Sequence, residues 1–354
     1  MKIKMSKSFL GAYGIALAAM VAQAHAQITF NPTPFISQTQ LDGIYSGNAS
    51  PIGITYAGDE FVGTGGYSSS NVLYSTNLSG GNISTFGAVP GASGEVVLSA
   101  SPNGSAYGSN DIYSGSQASG QIWKFSHSGG APTLFATVNI GQVRGISFDT
   151  TGLYNHDMIV TTNQGGVFEV GAGGQVSLLA YLGTDTEGIG FATQKFGTFA
   201  AGTLFTSSED SEWVNAISPT GTVTPVFQIP EAESISFVPT NIAGDTNPHD
   251  GFYGVNYPYD ILYAPISEFD QYAGDVIVTS EIPGANPNIY AISLNGSDVA
   301  TITGVGSMWQ PEDSIFVTDQ TVQVHGGVPD GGATLTMLGG VLAGLAALRR
   351  RFAR

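Results

Sequence analysis

The chain contains no cysteine, so no disulfide framework can staple it and its stability has to come from a packed core. Positive charge is almost missing from its body. Of the ten Lys and Arg residues, Lys2, Lys4 and Lys7 lie at one end and Arg349, Arg350, Arg351 and Arg354 at the other. Only Lys124, Arg144 and Lys195 stand between 27 and 328, against 26 of the 27 acids. Phosphate binding needs clustered Lys or Arg, which excludes nucleic acid as a partner. Between the terminal segments there is no long apolar run and no sustained 3.6-residue period, so helical bundles are excluded and an all-β chain is expected. No H-E-x-x-H, no G-x-S-x-G and no Gly-rich phosphate loop opening a helix is present. No residue is assigned a catalytic role.

What the chain has is a repeat. Its cleanest copy is 274–296, where Asp275-Val276-Ile277-Val278-Thr279, a Pro/Gly/Asn loop and Asn288-Ile289-Tyr290-Ala291-Ile292-Ser293 precede a turn at Asn295-Gly296. Four weaker copies start near 61, 111, 157 and 202. A short strand precedes each copy, beginning at 53, 96, 145, 188 and 234, with a sixth at 314. The intervals are 43, 49, 43, 46 and 80 residues. Four short strands per period in the forties is the pattern of a β-propeller blade, and the 49 glycines suit its tight turns. Six four-stranded blades are expected over 27–327. The sixth is to be assembled from 314–324 and 28–36, and the long interval carries an insertion at 240–273.

Lys2, Lys4 and Lys7, an apolar run over 9–21 and Ala24-His25-Ala26 form a secretory signal peptide, 1–26. The run is shorter than the ~20 residues that cross a bilayer. Export machinery is therefore an expected partner.

The acids fall at fixed places in the repeat. Glu187, Glu233 and Glu312 sit at or just before a blade's first strand, with Glu95 in the equivalent place, and Glu209 and Glu281 follow second strands. First strands line a propeller's channel, so these carboxylates are expected to ring one mouth with no Lys or Arg nearby. Repulsion among them is relieved by spreading, protonation or a bridging cation. Glu187, Glu209, Glu233, Glu281 and Glu312 are thus candidate ligands for Ca²⁺ or another divalent cation, and a solvated acidic rim is the competing reading. The insertion groups Tyr253, Tyr257 and Tyr259 with Asp and Asn residues. Such a mixture suits a carbohydrate, in which case an extracellular polysaccharide is a partner; the competing reading is a long loop packing its hydrophobes on the propeller rim.

The C-terminus has three parts: Val328-Pro329-Asp330-Gly331-Gly332, an apolar stretch 333–348, and a basic tail 349–354 containing Arg349, Arg350 and Arg351. In that order they resemble the PEP-CTERM sorting segments of exported bacterial proteins, in the variant with a VPD-Gly/Ser-Gly box. The resemblance implies a transmembrane sorting helix over 333–348, recognition by an exosortase-type membrane protease, and delivery to the cell surface or extracellular matrix. The positive-inside rule puts the arginines on the cytoplasmic side. The repeat units resemble six-bladed propellers of the NHL and gluconolactonase-like groups; in the gluconolactonase-like group carboxylates and amides hold a divalent metal at the channel mouth. Applied here, that likeness points to Glu187, Glu233 and Glu312. The expectation is a surface-sorted binding or matrix protein. Its alternatives are a metal-dependent lactonase-like hydrolase, with His249 as a base if the insertion covers the mouth, and a carbohydrate-binding propeller.

Overall fold

Val276, Ile277 and Val278 show why the repeat's strands are apolar without alternation. Val276 and Val278 pack into the core shared with the preceding blade, and Ile277 into the core shared with the next. A strand buried on both faces has no polar side. Met158 and Val160 against Ile159 repeat the arrangement in another blade.

The computed structural model describes residues 30, 32–67 and 71–318. The expected signal peptide, the C-terminal helix and the box at 328–332 lie outside the described residues. Among those described, no helix is long and apolar enough to cross a membrane.

The strands form six four-stranded antiparallel sheets. The innermost strands are Gly53–Tyr56, Val96–Ala100, Val143–Phe148, Ile189–Phe191, Ala232–Phe237 and Pro311–Val317. Each touches the next, and the last touches the first, so the ring is closed. Six apolar clusters fill the six spaces between adjacent blades. The chain is a six-bladed β-propeller.

The sixth blade corrects the reading of the insertion. Pro311–Val317 is its innermost strand and Thr33–Ser37 its outermost, as the sequence suggested. The two strands between them, Gly251–Asn256 and Asp260–Pro265, come from the insertion. A segment interrupting the fifth blade thus supplies half of the sixth, and a 3₁₀ turn, Ile266–Tyr272, returns the chain to the fifth. This is a blade and not a rim loop because Phe252, Tyr253, Val255 and Ile261 are needed inside two inter-blade cores. Tyr253 stands 4.5 Å from Phe61 of the first blade, ring centre to ring centre, across the closing seam.

The lead-in segment departs from the all-β expectation. Residues Gln38–Tyr45 form a helix. Ser37 and Gln40 make its capping box, with the Ser37 N–H donating to Gln40 Oε1 at 3.0 Å. Leu41 and Tyr45, four residues apart, both face the core.

Candidate metal centre at the channel mouth

Four of the six innermost strands carry, near one mouth of the channel, a charged residue followed by a small one: Arg144-Gly145, Glu187-Gly188, Glu233-Ser234, Asp313-Ser314. The small residue lets neighbouring strands approach. A Cβ on Gly188 would meet the Glu233 carbonyl at 2.3 Å, and one on Gly145 the Glu187 carbonyl at 2.3 Å. Those carbonyls are held from the blade before: Thr161 Oγ1 donates to Glu187 O at 2.8 Å, and Ser207 Oγ donates to Glu233 O. The acids' backbones are thereby fixed before any ligand arrives.

Glu187, Glu233 and Glu312 are 5%, 9% and 6% exposed, whereas Glu209 and Glu281, after second strands, are half-buried. The acids therefore do not form a solvated rim. The expectation that no cation stands near them is also overturned. Arg144 occupies the position in its blade that Glu187 and Glu233 occupy in theirs. Its Nε donates to both Asp185 oxygens, at 3.2 and 3.1 Å, its Nη2 donates to Asp185 Oδ2 at 2.7 Å, and its Nη1 donates to Glu95. Glu187 Oε1 lies 2.8 Å from Nε but off the donor direction, so that contact is Coulombic rather than a formed hydrogen bond. Burial works against the guanidinium charge, but Glu187, Asp185 and Glu95 outweigh it and keep it protonated.

Beyond Arg144's reach the acids are neutralised less. Two groups bring carboxylate oxygens within 4.8 Å of one another: Asp185, Glu187 and Glu209, and then Glu209, Glu233 and Glu281. Glu209 belongs to both and lies 3.8 Å from Arg144 Nη2. Glu312 joins through Gln310, whose Nε2 donates to Glu281 Oε1 at 2.6 Å and to Glu312 Oε1 at 3.1 Å. Glu233 Oε2 is buried without a hydrogen-bond partner among the described residues. Burial first, and then neighbouring carboxylates, push Glu209, Glu233 and Glu312 far above the ordinary carboxylate range. Glu187 is raised too, by burial, although Glu233 and Arg144 pull it back.

Tyr253 is 1% exposed inside the seam, apart from its two companions. Tyr257 and Tyr259 sit in the turn between the sixth blade's middle strands, at the acidic mouth. His249 is at the other end. It precedes Gly251, which pairs with Val317, while the mouth is marked by Asn256 pairing with Pro311. His127 and His156 also lie in turns on that opposite face, so no described histidine reaches the carboxylates.

Comparison with family models places one known segment in the chain. Residues 327–352 match the VPDSG-CTERM motif. The body has no match among curated protein sequences. Solved structures similar to it include a chain of a nidogen/laminin complex, at 9% identity and TM-score 0.51 over 77% of this chain and 86% of that one. A streptogramin B lyase structure aligns at 16% identity and TM-score 0.48, over 84% and 94%. A protein assigned as a gluconolactonase aligns at 8% and 0.49, over 81% and 86%. The first of these likenesses speaks to the propeller fold alone.

Proposed function

We propose that this is an exported, surface-sorted propeller that holds a divalent cation of the Ca²⁺ type at its channel mouth and acts as a binding protein of the cell surface. The observation that carries the reading is the convergence of carboxylate oxygens of Glu209, Glu233 and Glu281 within 4.8 Å of one another, together with a buried Glu233 Oε2 that has no hydrogen-bond partner among the described residues. Oxygens on opposite sides of one Ca²⁺ stand about 5 Å apart, and hard oxygen donors are what that ion takes. The donor set therefore fits. When bound, the cation would neutralise carboxylates whose protons are otherwise held by burial and then by their own repulsion, and Glu312 lies beside the group through Gln310.

The VPDSG-CTERM match supports export and processing by an exosortase-type membrane protease. Thr33 and Val317 both lie at the end of the sixth blade away from the carboxylates. The chain thus enters and leaves the propeller on one face and presents the acidic mouth on the other. A tail held in the membrane before processing would turn the mouth outward.

Calorimetric titration of Ca²⁺ into the metal-free protein tests the reading. Saturable binding that Glu233→Gln removes supports it; no binding, or binding indifferent to Glu233, sinks it.

A further inference from the structure

Aromatic side chains occupy one sector of the same mouth. The turn carrying Tyr257 and Tyr259 lies there because Asn256 pairs with both Asp260 and Pro311. Trp309 comes two residues before Pro311. Tyr67 follows Glu60–Thr64, whose last residue pairs with Gly53 at the start of an innermost strand. Tyr67 and Tyr257 stand edge to face with ring centres 5.7 Å apart, and Tyr259 and Trp309 do the same at 6.3 Å. Tyr67, Tyr259 and Trp309 are 38%, 44% and 49% exposed.

The rim is built rigidly and joined to the carboxylates. Gln38 Nε2 donates to the Pro258 carbonyl at 3.2 Å, the Tyr257 N–H to the Gln310 carbonyl at 2.8 Å, and the Trp309 N–H to Asn256 Oδ1 at 2.5 Å. The side chain of Gln310 then reaches Glu281 and Glu312. Four residues, 309–312, thus carry an exposed ring at one end and a candidate ligand at the other.

Single exposed rings are ordinary, but a cluster beside a buried charged site is a ligand-facing surface. The rings pair edge to face; they do not turn several faces on one point, as a box around an organic ammonium requires. What they offer is flat aromatic surface next to a site for a cation. We infer that the mouth binds a sugar residue of a neutral glycan. Its C–H face lies on Tyr259 and Trp309, and a pair of adjacent hydroxyls completes the coordination of the cation. The inference rests on the cation reading above and names that site's ligand.

The test uses purified full chain in a non-glycosidic detergent. D-mannose and D-galactose, which have adjacent cis hydroxyls at positions 2,3 and 3,4 respectively, are the probes, and 2-deoxy-D-glucose, which has no adjacent cis pair, is the control. Saturation-transfer NMR reads contact with the sugar, and calorimetry reads Ca²⁺ affinity in parallel. The expected result is a signal on mannose or galactose C–H protons with Ca²⁺, at least fivefold weaker with EDTA or with the control. It is weakened as much in Tyr259→Ala/Trp309→Ala and retained in Trp309→Phe. Ca²⁺ binding with no sugar signal overturns this inference and leaves the cation reading standing, as does a signal unchanged in the aromatic variant. A sugar signal without Ca²⁺ binding overturns the bridging by the cation.

Discussion

Arg144 Nε lies 2.8 Å from Oε1 of Glu187, so the third blade's only channel charge is spent on the acids of the second and fourth. The mouth is thereby divided. One side is an ion-paired network closed on itself, and the other, Glu233, Glu281 and Glu312, has no described Lys or Arg within salt-bridge distance.

Removing the guanidinium should expose that division. Arg144→Gln leaves Glu95, Asp185 and Glu187 buried without their counter-charge, and such a loss costs about 3–5 kcal/mol. The urea midpoint at pH 7 should fall accordingly. At pH 5, where Glu95 and Glu187, both raised by burial, take up protons, the loss should shrink. A variant as stable as the parent at pH 7 would show that the guanidinium does not stabilise these acids.

The metal-free protein should lose stability as pH rises. Glu209, Glu233 and Glu312 are raised in the folded chain above their ordinary 4.5, Asp313 is raised to about 6 and Asp275 to about 7, in each case chiefly by burial. The folded state then holds protons that the unfolded chain has released. Their contribution is full below about pH 4.5 and is lost as pH climbs through the folded values. Melting in EDTA should drop by several degrees between pH 5 and 8, and Ca²⁺ should flatten the decline by displacing protons. A melting point rising over that range contradicts the assignment.

Tyr253 and Tyr259 should part company on mutation. Tyr253→Ala opens a cavity in the seam between the first and sixth blades, costing about 3–5 kcal/mol by analogy with buried aromatic truncations. Tyr259→Ala, at 44% exposure, should stay within about 0.5 kcal/mol. Equal losses in a denaturation series would remove the distinction between core and rim.

Much of this was legible in the residues. Inner strands such as Gly188-Ile189 and Ser234-Ile235 announce themselves by period, and the glutamates before them place the acidic mouth. The sixth blade was half hidden, because its middle strands are separated in sequence from both their neighbours and no periodicity reports such pairing. Arg144 was missed for a different reason. It precedes Gly145 as Glu187 precedes Gly188, so its position is marked in the repeat, but a position held by acids in other blades does not announce the one blade where a base replaces them. Gln310, Tyr67 and Trp309 lie outside the repeat, and Tyr67 comes to the same sector as the other two only when the ring closes.

The absence of cysteine makes orientation measurable. Single cysteines at Asp210, exposed beside Glu209, and at Thr220, exposed in an opposite-face turn, report the two faces. While the chain is membrane-held, Asp210→Cys should react with a bulky maleimide faster than Thr220→Cys, and removal of the tail should equalise them. Equal rates throughout contradict an outward-facing mouth.

The most direct test of the account is the melting temperature of the purified protein in EDTA and in Ca²⁺, for the parent and for Glu209→Gln/Glu233→Gln. An ion at 100 times its dissociation constant adds about 2.7 kcal/mol. The account predicts a clear rise with Ca²⁺ in the parent and none in the variant. A parent indifferent to Ca²⁺, or a variant that responds as the parent does, would contradict a cation centred on Glu209 and Glu233.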